Sequence, residues 1–184
     1  MAAGDTALSI CSDTLIMLGA SPLSSFTEGT DAAQAADRLY PDLRDTLLSS
    51  YQWSWSVKKE QLARLATAPT NEWKYAYQLP GDMLSGVIAV FETGGTTERP
   101  LRYGWGIYGD QLYTNMETVY IDYQGTVNES KMPPYFVDLL KSALASKLAL
   151  VITDQITKAD YFKVEAYGTP IDAGRGGKMR EAMN

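Results

Sequence analysis

Apolar positions at the start of the chain follow a helical period. Leu8, Cys11, Leu15 and Leu18 recur at spacings of three and four, with Ser12 and Asp13 off the stripe and Gly19 placed to stop it, which predicts an amphipathic helix over 5–18. A polar link through Pro22, Ser24 and Ser25 leads to Asp31, which with Gln34 three residues on has the form of a capping box. The helix opened there carries Ala32, Ala35, Ala36, Leu39, Leu43, Leu47 and Leu48. Pro41 lies inside it, lacks an N–H and crowds the preceding turn, so two nearly collinear pieces with a kink or break near Tyr40 are predicted.

Between Tyr51 and Tyr123 the pattern shortens to strand length, and all four Trp fall in this stretch. Trp73, Tyr75 and Tyr77 alternate with other residues up to Pro80, and 86–91 is a short apolar run; both read as strands. Gly109-Asp110 between Ile107-Tyr108 and Leu112-Tyr113 is a tight hairpin signal, and Val119, Ile121 and Tyr123 share one face of a last strand. A meander of short strands is expected. Residues 92–100, with Gly94-Gly95-Thr96-Thr97, are polar and turn-rich and predict a loop projecting from the tip of this region.

Helical spacing returns after Pro133-Pro134, where Val137, Leu140, Leu144, Leu148 and Val151 form a stripe thickened by Ala143, Ala145 and Ala149. A further helix from Gln155 toward Tyr167 would use Ile156, Ala159, Phe162 and Ala166 as its inner face. From Gly168 onward the chain holds Pro170, Gly174, Gly176 and Gly177 with few apolar residues, and is expected to be disordered on its own. The expected class is α+β: an antiparallel helical bundle with an inserted small antiparallel β lobe and a flexible C-terminal tail. Residues 1–52 and 131–167 would form the helical body, 53–130 the lobe and 168–184 the tail. No repeat with a period of 20 to 50 residues is present, so solenoids and propellers are not expected.

Composition narrows the function. The 184 residues, 45% hydrophobic and 21% charged, fit a globular chain that buries well over half of its unfolded surface. Sixteen Lys+Arg against 22 Asp+Glu leave a net charge of −6, which disfavours dedicated DNA binding but allows a wall past which a duplex slides without sticking. The single cysteine, Cys11, sits on an apolar stripe and reads as a small hydrophobe. Residues 1–9 do not have the form of a signal peptide, and no membrane span is expected; the reading is a soluble protein made in a reducing cytoplasm.

Histidine is absent, which removes the commonest general base, the commonest metal ligand and every imidazole triad. No catalytic, cofactor or metal site is expected. Ser56-Val57-Lys58-Lys59 matches Ser-x-x-Lys without the partner motifs of acyl-serine enzymes, and reads more plainly as two exposed lysines at the start of a strand. Gly177-Lys178 is followed by Met179 where a phosphate loop needs Ser or Thr. The run 174–178 also has the look of a small arginine-glycine segment, though one such unit in an acidic chain reads more simply as a tail. Glu92, Glu98, Asp110 and Glu117 are the carboxylates available for a glycosidase pair, which keeps a lytic, glycan-cleaving enzyme as the alternative reading. The aromatic stretch is either a stacking platform or a sheet core, and core is favoured.

Several stretches, taken in order, resemble the tail tubular protein A-like adaptors that join portal to tail in tailed bacteriophages. The first helix through Leu18-Gly19-Ala20 and Pro22-Leu23-Ser24-Ser25 looks like the family's opening helix and link. Ala36-Asp37-Arg38-Leu39-Tyr40-Pro41-Asp42-Leu43-Arg44-Asp45, Leu47-Leu48, Trp53 and Leu62-Ala63 resemble its most recognisable stretch. Tyr75-Ala76-Tyr77-Gln78-Leu79-Pro80-Gly81-Asp82 is similar to the start of its β region, and Tyr120-Ile121-Asp122-Tyr123 and the helix from Pro134 to Asp154 continue the likeness. It covers most of 5–167 and stops at the tail.

The resemblance implies a non-enzymatic assembly protein of the virion neck. It would form a ring, a dodecamer, beneath the portal protein, link it to other tail or nozzle proteins and surround the channel through which genomic DNA leaves. That DNA would pass without sequence-specific binding, and no membrane would be involved. The tail is the expected portal-binding segment, with Ile171 and Met179 as apolar anchors and Arg175, Lys178 and Arg180 as charge partners.

Overall fold

A computed structural model describes residues 5–95 and 98–184. The class is mixed α+β, with five α-helices and two antiparallel three-stranded sheets among the described residues. The chain divides into two compact units, Met1–Tyr51 with Val127–Asn184, and Gln52–Thr126.

The first unit is helical. Its helix α1 (Ala7–Met17) starts at Thr6, whose hydroxyl accepts from Ser9 N while Ser9 Oγ accepts from Thr6 N, so two N–H groups left over by helix geometry are satisfied. Ile10, Cys11, Thr14 and Leu15 face inward. Helix α2 (Asp31–Ser50) is capped by Thr30, whose hydroxyl accepts from Ala33 N; Asp31, expected as the cap, is instead the first helical residue. Of the kink or break expected near Tyr40, no break occurs: α2 runs through Pro41 as one element. Pro41 and Asp37, the residue whose carbonyl loses its donor, are both exposed, so water can serve that carbonyl. Ala36 and Tyr40 on one side and Leu43 and Leu47 on the other are buried and hold both halves to the same core.

Helix α3 (Pro134–Ile152) is the centre of this unit, packing against α1, α2, α4 (Ile156–Tyr167) and the last helix, α5 (Gly177–Met183). Its buried positions include Phe136, Val137, Leu139, Leu140, Leu144 and Leu148, and Ser142, Ala143, Ala145 and Ala149 let neighbouring helices approach. Val151 departs from the expected stripe and is exposed, as is Ile156 of α4, whereas Ala159, Phe162 and Ala166 are buried as predicted. The expectation of an unstructured stretch from 168 is overturned: a 3-10 turn spans Pro170–Asp172 and α5 follows, with Met179 4% exposed.

The second unit holds both sheets. Strand β1 (Val57–Gln61) pairs with β6 (Tyr120–Gly125), which pairs on its other side with β3 (Met83–Phe91). In the second sheet β5 (Gln111–Thr114) lies between β2 (Tyr75–Gln78) and β4 (Trp105–Tyr108). The expected hairpin at Gly109-Asp110 joins β4 to β5. Gly109 has φ +63° while Asp110 is not in the left-handed region, the signature of a type II′ turn. A simple meander is not formed, because β1 and β6 come together from opposite ends of the unit. Leu62, Tyr77, Leu79, Val90, Leu112, Val119, Ile121 and Tyr123 form the core, which places these aromatics inside as expected. Of the loop expected over 92–100, Thr96 and Thr97 lie outside the described residues.

Candidate functional site

The expected portal-binding residues lie on the segment following α4. Gly168 N closes onto Val164 O, and Gly176 N donates to Tyr167 O at 2.9 Å, so the chain doubles back against the end of α4. The return is tight. A Cβ on Gly177 would lie 2.3 Å from the Glu165 carbonyl oxygen, and one on Gly168 would lie 2.6 Å from Gly176 Cα. These glycines permit backbone to pack on backbone, the opposite of the freedom their composition implied. Thr169 donates from its N–H and its hydroxyl to Asp172 Oδ2, both at 2.8 Å, closing the 3-10 turn. These hydrogen bonds hold the Asp172 carboxyl below its ordinary range.

Lys178 is the centre of the docked segment. Its ammonium lies 2.9 Å from Asp138 and 3.0 Å from Glu165, and donates to Ser142 Oγ at 2.8 Å. Burial, the largest single influence, disfavours the charge; hydrogen bonds to Asp138 and Glu165 together with their charges outweigh it, and the ammonium is held above the ordinary lysine range. Lys178, expected as a charge partner, is thus paired within the helical unit, and Met179, expected as an apolar anchor, is buried there. The remaining three are exposed: Ile171 at 94%, with Arg175 and Arg180 on the same segment.

Beside them lies a groove of about 390 Å³, lined largely by apolar surface from Val164, Tyr167 and Pro170, with Asp160 and Lys163 at its rim. Tyr161 and Val164 extend the exposed apolar face along α4. An arrangement of this kind could bind a partner by covering apolar surface and by charge pairing to exposed guanidinium groups.

The residues weighed for catalysis are placed elsewhere. Ser56 is buried, donates to Trp53 O and accepts from Gln124 Nε2. Lys59 lies 3.4 Å over the Phe91 ring and 3.6 Å from Asp122, and Lys58 bonds Asp82, so neither lysine attends the Ser56 hydroxyl. Glu98 accepts from the Thr93 hydroxyl and N–H, and Asp110 accepts from Gln78 Nε2 in the other sheet. No group of three or more Cys, Asp and Glu suited to a metal ion occurs among the described residues. None of the helices described is long and apolar enough to cross a membrane.

Two polar clusters went unnoticed in the sequence. In the helical unit Glu129 accepts from Tyr40 Oη at 3.1 Å and Arg44 Nη1 at 3.0 Å; Tyr40 lies on the buried stripe of α2, which was the available signal. In the sheet unit Tyr123 Oη lies 2.8 Å from Glu60 and 3.1 Å from Asp82, which also takes Lys58. Burial and then these carboxylates push the Tyr123 phenol well above its usual range. The chain matches no protein-family model and no curated protein.

Proposed function

We propose that the protein is a structural, non-catalytic adaptor of a phage head-to-tail connector, part of the virion neck, forming a ring beneath the portal. The observation that carries this reading is the presentation of Ile171, 94% exposed, beside the apolar groove of Val164, Tyr167 and Pro170, with Arg175 and Arg180 exposed on the same segment. The ordered resemblance to tail tubular protein A-like adaptors supports it. In this reading the helices around α3 are the antiparallel bundle that forms the body of a dodecamer, two different faces of each subunit closing the ring. Other tail or nozzle proteins attach on the distal side. The net charge of −6 suits a channel through which genomic DNA passes without adhering.

The test is binding of the full chain to portal rings of the phage that encodes it, read by sedimentation and electron microscopy, beside Ile171→Glu with Arg175→Glu. Both substitutions fall on exposed positions and leave the packing of α5 intact. A ring on the portal with the natural chain and none with the variant is the expected result. Failure of the natural chain to bind overturns the reading, and turnover of peptidoglycan would replace it with a hydrolase.

A further inference from the structure

The four outer strands of the two sheets are not protected alike. On β1 the outer edge carries Lys58, Lys59 and Glu60, charges that resist the approach of another strand. The outer edge of β2 is occupied: Leu65 N donates to Ala76 O, Gln78 N donates to Ala63 O, and Arg64 bridges Tyr77. On β3 the register shifts between Met83 and Ala89, and Leu101 N donates to Val90 O. Strand β4, Trp-Gly-Ile-Tyr, has no charge, proline or bulge, and no backbone group among the described residues bonds to its free side.

The hairpin fixes which of its groups face outward. Across a two-residue turn the flanking pair, Tyr108 and Gln111, exchanges hydrogen bonds, and so does the pair two steps on, Gly106 and Tyr113. The N–H and C=O of Trp105 and Ile107 therefore point away from β5. On the inner face Ile107 continues the row of Tyr77 and Leu112, yet Ile107 is 37% exposed where those two are 1% and 0%. The core row ends uncovered at the same strand whose backbone is unpaired.

Charge completes the picture. The segment leading into β4 walls a hollow of about 520 Å³ with Arg99, Pro100, Leu101, Arg102 and Tyr103. Arg99 and Arg102 are exposed and form no ion pair among the described residues, in a chain whose net charge is −6. Tyr103 beside them is 85% exposed.

We propose that the open edge of β4, with the arginine-walled hollow at its N-terminal end, is a docking site for an extended acidic segment of a partner protein, added as a fourth strand. Trp105 and Ile107 supply the backbone hydrogen bonds, an apolar partner residue covers Ile107, and a carboxylate enters the hollow. The site lies on the sheet unit and is independent of the adaptor reading, which rests on the segment after α4.

The test uses the full chain and two short acetylated peptides of alternating Val and Thr, one ended by Glu and one by Lys. Fluorescence polarisation should show the Glu-ended peptide binding about tenfold more tightly, with the preference lost in Arg99→Glu/Arg102→Glu. Hydrogen exchange should show new protection at the Trp105 and Ile107 amides. N-methylation of the peptide's pairing amides, which leaves the protein untouched, should abolish binding, as should Ile107→Lys with an unchanged far-UV spectrum. Equal affinity for both peptides, or protection elsewhere, overturns the proposal. So does concentration-dependent dimerisation that protects Trp105 and Ile107 without peptide, which would make a second copy the occupant.

Discussion

Lys178 Nζ stands 3.0 Å from Glu165 Oε1, and the same ammonium reaches Asp138 of α3, so one side chain of the last helix ties two others together. Glu165 Oε2 is buried without a hydrogen-bond partner among the described residues, which leaves this carboxylate dependent on Lys178. Lys178→Ala should therefore destabilise the protein by about 1–3 kcal/mol, whereas Arg180→Ala, at an exposed position, should stay within about 0.5 kcal/mol. Urea denaturation of both variants checks the contrast, and equal effects would remove Lys178 from this role.

The same ammonium predicts an alkaline dependence. Because folding raises the Lys178 pKa above 10.5, its contribution is complete below that pH and is lost as pH rises through the folded value. The denaturation midpoint of the natural chain should fall more steeply above pH 10.5 than that of Lys178→Met. Parallel slopes would show that the pair does not titrate with folding.

Glu28 gives the opposite sign at acid pH. The N–H and hydroxyl of Ser24 donate to its carboxylate at 2.9 and 2.8 Å, and Thr30 adds a third bond, lowering its pKa from 4.5 to about 2. A group depressed by folding contributes above its unfolded pKa and loses that contribution as pH falls toward 2. Carbon NMR should find Glu28 titrating near 2 in the natural chain and higher in Ser24→Ala, which removes the hydroxyl bond and keeps the backbone one.

Cys11 should report unfolding. Burial, then the nearby Asp37 and Glu129 carboxylates, pushes its thiol up to about 12, and its side chain is inaccessible. Reaction with a thiol reagent at pH 8 should be negligible in the folded protein and should rise along the same denaturant curve as the loss of helix. Rapid labelling in native buffer would contradict the packing of α1.

Gly177→Ala should be costly. The added Cβ meets the Glu165 carbonyl oxygen at 2.3 Å and the backbone has φ +51°, so both space and conformation oppose it. Gly104→Ala, with φ +89° but nothing within 4 Å, isolates the conformational part. Thermal unfolding should rank Gly177→Ala below Gly104→Ala, with the former losing about 2 kcal/mol or more.

The tail shows where reading from sequence succeeds and fails. Period and punctuation located α1, α3, the Gly109-Asp110 hairpin and the buried face of β6, because each depends on neighbours within a few residues. The segment after Tyr167 was misread because glycine is chosen both for freedom and for close approach, and composition cannot tell them apart. Only the fold shows that Gly168 and Gly176 touch. The pairing of β1 with β6 and the two-sheet arrangement were likewise hidden, since they join residues far apart in the chain, such as Val57 with Gln124 and Tyr75 with Thr114. Of the candidate docking residues, Ile171, Arg175 and Arg180 are at the surface, while Met179 and Lys178 were drawn inward by partners on α3 and α4 that the sequence does not place nearby.

The register that sets Val57 opposite Gln124 gives the sheet unit a single doorway: the strand by which the chain comes in lies against the strand by which it goes out. An insert built this way is a cassette. Its two ends are already neighbours, so excising it leaves a gap that a short turn can close, and grafting it into another host loop stretches neither chain.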